Sequence, residues 1–176
     1  MIPAINIPAW KIPGTFRYDR EKFNRTRQTG SAARSLNQGV PVRHPDIPDY
    51  MENDRFAELT GIELHKDREG QPVASLKVEE KHLNGLKTAQ GGCIFTLADY
   101  AFALASNTEG RMSVALNLSV HFLNAARLGD TLTARTREIS RKRLVSVYEI
   151  TVVNQDDVNI ATFVATAYKV GDREPS

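Results

Sequence analysis

A chain of 176 residues, 41% hydrophobic and 25% charged with a formal net charge of +2, has the composition of one globular domain with a sizeable core. So small a charge excess leaves no electrostatic footprint for nucleic acid. The one cysteine, Cys93, excludes an internal disulfide and every multi-cysteine zinc pattern.

Residues 1–48 differ from the rest. They hold six of the eight prolines, and Lys plus Arg outnumber Asp plus Glu by eight to three. This composition, without visible periodicity, predicts an extended or partly disordered N-terminal arm, with Trp10, Phe16 and Tyr18 as docking side chains. A transit peptide is the sharper alternative for the arm, but its prolines and the Asp19/Glu21 pair fit that role poorly. No signal-peptide pattern opens the chain, and the longest apolar helical run, Cys93 to Ala105, is too short to span a bilayer. The expectation is a cytoplasmic protein without membrane or nucleic-acid partners.

A folded domain is expected over residues 49–170, with a polar tail over 171–176. Residues 49–60 (DYMENDRFAELT) read as a short amphipathic helix with Met51, Phe56 and Leu59 inward, closed by Gly61. Ile62 to Lys66 and Val73 to Val78 read as strands around a turn at 67–70. Residues 81–107 then form a polar loop, a glycine pair at Gly91 and Gly92, and a long apolar helix. Ile94, Leu97, Ala98, Ala101, Phe102 and Ala105 recur at helical spacing, and the positions between them are mostly apolar too, so this helix is expected to be buried on nearly all sides.

The clearest strand is Met112 to Leu123, in which Val114, Leu116, Leu118, Val120 and Phe122 alternate with smaller or polar residues. Three more follow: Thr131 to Ser140, Leu144 to Val153 and Ile160 to Val170. The basic tip Arg141-Lys142-Arg143 and turns at Gly129-Asp130 and 154–159 separate them. One long helix against five to six hairpin-linked strands predicts an α+β domain, a curved antiparallel sheet wrapped around the helix. That architecture is the hotdog fold.

Two features of the long helix point to chemistry. Its N-terminus presents backbone N–H groups without intrahelical partners, and glycines there let an oxygen bearing negative charge approach closely. Asp99 is the one charge in the apolar run, and a buried carboxylate is costly unless something uses or compensates it. The plainer alternatives are a tight turn for the glycines and a satisfied core carboxylate for Asp99.

Eight residues at 1.5 Å each separate Gly91 from Asp99 by ~12 Å. A reacting carbonyl must lie ~3 Å from both an oxyanion donor and a base or nucleophile. One helix therefore cannot supply both, and a catalytic reading requires a dimer with composite sites. Asp99 then attacks the carbonyl or deprotonates water, the Gly91 or Gly92 N–H holds the oxyanion, and Asn84 in the approach loop orients water or polarises the carbonyl. Asn84-Gly85 is also a common turn dipeptide. Cys93 stands among apolar residues, as a buried thiol rather than a nucleophile.

The run HLNGLKTAQGGCIFTLADYAFALASN, with Asn117-Leu-Ser-Val-His-Phe-Leu and Gly129-Asp130 beyond it, resembles the PaaI-like phenylacetyl-CoA thioesterases, hotdog-fold acyl-CoA hydrolases. The resemblance covers residues 49–170 and implies catalytic roles for Asn84, Gly91 and Asp99 in a dimer, commonly paired again into a tetramer. Two positions depart from the pattern: Gln90 stands where the family usually has histidine, and Asn124-Ala125 where it often has arginine-proline. Substrate contacts are then expected from Gln90 and His82, with the 141–143 tip a candidate for the phosphates of coenzyme A. His121, on the polar side of its strand, is expected to be structural. No histidine stands in zinc-ligand spacing, so no metal or other cofactor is implied. The expected activity is hydrolysis of an acyl-CoA, aromatic or medium-chain, to a carboxylate and CoA. The alternatives are a non-catalytic acyl-CoA binding module and a hydratase/dehydratase, which would want a histidine where Gln90 stands.

Overall fold

The computed structural model describes residues 51, 54–66, 72–108 and 110–172. The arm over 1–48, the turn at 67–70, Glu109 and the tail from residue 173 lie outside the described residues. Helix α1 (Arg55–Thr60) leads into β1 (Ile62–Lys66) and β2 (Pro72–Lys77). A short 3-10 turn at Glu80–His82 precedes the long helix α2 (Gly91–Ser106). Strands β3 (Arg111–Phe122), β4 (Thr131–Arg141), β5 (Val145–Val153) and β6 (Asn159–Asp172) complete the domain.

The six strands form one sheet in the order β1-β2-β4-β5-β6-β3, every neighbouring pair antiparallel. Register shifts at Ala115/Asn117 in β3, Glu138/Ser140 in β4 and Val152/Val153 in β5 mark bulges that bend the sheet. The long helix against this curled sheet is the hotdog fold expected from the sequence.

Alternation fixes which face of each strand meets α2. Ser146, Tyr148, Ile150 and Val152 of β5 are buried while Val145, Val147, Glu149 and Thr151 are half-exposed. On β6, Ala161, Phe163, Ala165 and Ala167 turn inward, and three small side chains among the four let the helix close on the strand. From α2 come Ile94, Leu97, Ala98, Ala101, Phe102 and Leu104. Each large apolar side chain so buried contributes about 1.5–3 kcal/mol. Edge-to-face contacts, Phe102 on Tyr148 at 5.5 Å and Phe95 on Phe163 at 5.7 Å, fix the helix against β5 and β6.

Three expectations need correction. The first helix has its N-cap at Asp54, whose Oδ1 accepts from the Phe56 and Ala57 amides at 2.9 and 3.0 Å. With that phase Met51 and Ala57 turn inward, whereas Phe56 and Leu59, three residues apart and so on one face, are 59% and 70% exposed. Strand β6 runs through Gly171 and Asp172, assigned above to the tail, because β3 reaches back far enough to pair Arg111 with Asp172. Finally, α2 is not buried all round. Gly92 is exposed and Phe95, Thr96, Asp99 and Ala103 are half-buried, and at 100° per residue these five share one stripe. The stripe that carries Asp99 is the least buried side of the helix.

Candidate active site

The loop before α2 is built by its own hydrogen bonds. Asn84 donates from Nδ2 to Thr88 Oγ1 at 3.0 Å, and its Oδ1 accepts from the Leu86 and Thr88 amides at 2.9 and 3.2 Å. This is the turn role that Asn-Gly allows: the Asn84 side chain folds residues 84–88. The Ala89 amide donates to the Ala126 carbonyl and the Gln90 amide to the His82 carbonyl, at 2.9 and 2.8 Å, which fixes the start of α2 against its surroundings.

His82 departs from expectation. It is 6% exposed; Nδ1 accepts from the Glu79 amide at 2.9 Å, and Nε2 stands 2.9 Å from the Thr60 carbonyl, where it donates. Both ring nitrogens are thus spent on backbone, and His82 pins the end of α1 to the approach of α2 instead of meeting substrate.

Gln90 is the N-cap of α2. Its Oε1 accepts from the Gly92 amide, in a very short contact, and from the Cys93 amide at 3.2 Å. The Gly92 N–H is therefore taken by the protein itself. The Gly91 N–H has no partner among the described residues. Phe122 packs over this glycine: a Cβ at Gly91 would stand 3.0 Å from the ring Cζ. The N-terminus of α2 thus offers one open backbone donor beside an aromatic ring, at the positive end of the macrodipole.

Asp99 lies two turns further along α2, on the open stripe. No described residue hydrogen-bonds its carboxylate. Burial pushes its proton affinity above the ordinary carboxylate range, and the negative charge of Asp54 on α1 adds to the rise. Thr96, one turn earlier on the stripe, returns its hydroxyl to the Gly92 carbonyl at 2.8 Å. Cys93 is half-buried, and burial raises its thiol against a smaller opposing effect of Lys81, so the thiolate that a nucleophile needs is disfavoured.

The 141–143 tip is not brought to this place within one chain. Gly91 lies beside Phe122 at the end of β3, whereas the tip leads into Val145, which faces Tyr168 and through it Val114 near the start of β3. Eight residues of β3 at 3.3 Å each put them about 26 Å apart along the strand. Arg141 is also engaged, its Nε on both Glu138 oxygens at 2.7 and 2.9 Å and Nη2 on Oε2 at 2.7 Å. Lys142 and Arg143 are exposed, as is His121.

Residues 86–161 match the thioesterase superfamily. Over 120 residues the chain is 37% identical to the acyl-coenzyme A thioesterase PaaI of Escherichia coli, covering 68% of this chain and 86% of that protein. It belongs to the PaaI-like thioesterases. The solved structure of E. coli PaaI superposes with a TM-score of 0.66 at 33% identity, over 70% of this chain and 90% of that one. A thioesterase protein from Streptococcus pneumoniae, solved with coenzyme A, superposes with a TM-score of 0.64 at 29% identity, over 71% and 98% of the two chains.

Two residues of this family member escaped the reading of the sequence. Asp54 was absorbed into the interior of one helix over 49–60, although an aspartate just before an amphipathic run is the usual N-cap signal. Phe122 read only as one of the apolar positions alternating along its strand. It is 51% exposed, and no sequence pattern announces that its ring covers Gly91.

Proposed function

We propose that this protein hydrolyses the thioester of an aromatic or medium-chain acyl-CoA, releasing a carboxylate and CoA, in sites shared between two subunits. The observation that carries this reading is the pairing of one open donor, the Gly91 N–H, with one unpartnered, half-buried carboxylate, Asp99, on a single helix and two turns apart. Their ~12 Å axial separation makes them members of two different sites. Each site joins Asp99 of one subunit to Gly91 of the partner subunit.

The sheet supports such a pairing. Strand β3 is a 12-residue edge, hydrogen-bonded on one side only among the described residues, with Met112, Val114 and Leu116 exposed by 43%, 49% and 59%. A long apolar edge is a template for a second copy. A two-fold contact there sets the helices antiparallel and faces the open stripes toward one another.

In that site the Gly91 N–H polarises the thioester carbonyl and holds the oxyanion as it forms. Asp99 takes a proton from water, or attacks the carbonyl itself. Collapse of the tetrahedral intermediate breaks the C–S bond, and the thiolate leaves with a proton. Gln90 contributes by capping the helix and holding the donor's backbone, and it borders the place where the thioester rests. Lys142 and Arg143 remain candidates for the CoA phosphates from the partner subunit, since a two-fold brings its distant end toward this one. The test is thiol release from short, medium, long-chain and aromatic acyl-CoAs by wild type and Asp99→Ala. Turnover on any of them that drops at least about a hundredfold in the variant supports the reading; no turnover by folded, oligomeric protein refutes it.

A further inference from the structure

An exposed aromatic ring, that of Phe122, stands against Gly91 at the open donor of α2. We infer that Phe122 is a specificity-determining residue that packs on the first carbons of the acyl group and selects thioesters unbranched at the α-carbon. This rests on the thioesterase reading and adds to it the shape of acyl group that the site takes.

The core does not account for the ring. Leu118 and Val120 of β3 pack against the buried core, and Phe122 continues the same face of the strand two residues on. It lies past the edge of that core and is 51% exposed. Its contact sets it apart from an ordinary exposed apolar residue. Ring atoms Cζ, Cε2 and Cε1 lie 3.0, 3.4 and 3.5 Å from where a Cβ on Gly91 would stand. The tip of the ring therefore faces the residue whose N–H is open.

Backbone bonds fix this meeting. Phe122 pairs with Ala161 of β6, and the next amide, that of Leu123, donates to the Ile160 carbonyl at 2.9 Å. Four residues after Phe122, the carbonyl of buried Ala126 accepts from the Ala89 amide at 2.9 Å, two residues before Gly91. Ring and donor thus hold their spacing before any substrate arrives, as a site that orients a reacting group requires.

Distances then restrict what fits. An oxyanion held by the Gly91 N–H lies ~3 Å from the nitrogen, which puts the carbonyl carbon at ~4 Å and the acyl α-carbon at ~5 Å. A Cβ is two bonds of ~1.5 Å from the same nitrogen, so Phe122 Cζ, 3.0 Å from that Cβ, is at most ~6 Å away. Ring and α-carbon share this space, where carbons in contact stand ~3.5–4 Å apart. A methylene fits against the ring. A methyl branch reaches ~1.5 Å further, more than the few tenths of an ångström by which the ring can yield. Chemistry assigns the acyl side of the thioester to the ring: a phenyl offers no hydrogen bond, whereas the CoA arm beyond the sulfur carries amides that need polar partners.

Substrate pairs that differ by one methyl group test this: hexanoyl-CoA and phenylacetyl-CoA, each beside its α-methyl derivative, with wild type, Phe122→Leu and Phe122→Ala. The quantity read is kcat/KM for the unbranched member over the branched one. It should fall at least about tenfold from wild type to Phe122→Ala, with Phe122→Leu between them. A branched thioester is intrinsically slower in every variant, and a weakened fold slows both members alike, so the change in the ratio reports the ring alone. Phe122→Leu keeps an apolar side chain and serves if Phe122→Ala does not fold. An unmoved ratio in active variants overturns the inference. Wild type that hydrolyses no acyl-CoA overturns the thioesterase reading instead. The role of Phe122 is then decided by calorimetry with ketone analogues, in which a methylene separates the sulfur from the carbonyl. Tighter binding of the unbranched ketone to wild type, lost in the variants, upholds it; equal binding of both ketones, or none, overturns it.

Discussion

Gly91→Pro separates the fold of the α2 N-terminus from its chemistry. Gly91 is the first helical residue, where an N–H has no intrahelical acceptor and proline is favoured. The residue before a proline must avoid helical geometry, and Gln90 already does, with φ −68° and ψ 137°. No described residue accepts a bond from the Gly91 N–H, so its removal breaks nothing in the fold. The one steric cost falls on the β-carbon of the new ring, which meets Phe122 Cζ at 3.0 Å as any Cβ at this position does; the half-exposed phenyl can yield by a few tenths of an ångström. Restricting the unfolded chain adds about 0.4–1 kcal/mol of stability, against which that contact subtracts. Thermal unfolding should therefore stay within a few degrees of wild type. Removing one oxyanion donor costs ~10²- to 10³-fold in kcat, about 2.7–4 kcal/mol of transition-state stabilisation. Thiol release measured at saturating acyl-CoA should fall by that factor with KM little changed. A folded Gly91→Pro protein with wild-type kcat would refute the assignment of the oxyanion donor.

His82→Ala should act on stability and leave the chemistry alone. It strands the Glu79 N–H and the Thr60 carbonyl, each worth about 1–3 kcal/mol when buried without a partner, so about 2–6 kcal/mol is lost in denaturant unfolding. A stable variant with raised KM would return His82 to the substrate site. Asp99→Asn should stabilise the protein at neutral pH. The folded state holds the Asp99 proton more tightly than the unfolded chain, so its ionisation costs stability from the ordinary value of 3.8 upward and fully above the folded-state value. The gain in Tm over wild type should thus vanish in acid, where both states are protonated; an equal gain at all pH values would assign it to packing.

The fold was legible because its signals are strong and local. The period-2 run of β3, the hairpin turns and one long apolar helix permit few arrangements, although the order that sets β2 beside β4 and β3 at the edge beside β6 was not read from them. Asp99 was legible for the opposite reason, as a charge its surroundings did not suit. Side-chain commitments were not legible. Asn84 and His82 both stand where a catalytic reading wants them, yet each is engaged by groups a few residues away or across the fold, and composition carries no trace of such bonds. Gln90 shows the same limit: spacing placed it beside the glycine pair, but only the structure assigns its oxygen to the Gly92 amide. The place of the 141–143 tip was hidden for a topological reason, since a basic sequence does not say which end of a 12-residue strand it will lie beside.

The shared site is tested most directly by mixing two inactive proteins. Gly91→Pro and Asp99→Asn each remove one half of every site. In random mixed dimers from equal amounts, half of the dimers are hybrid, and one of their two sites is intact, so about a quarter of wild-type activity should return. Recovery near that level after co-refolding or co-expression is the expected result. No recovery, with hybrid dimers demonstrated by mass, would place Gly91 and Asp99 in the same subunit's site and contradict the composite arrangement.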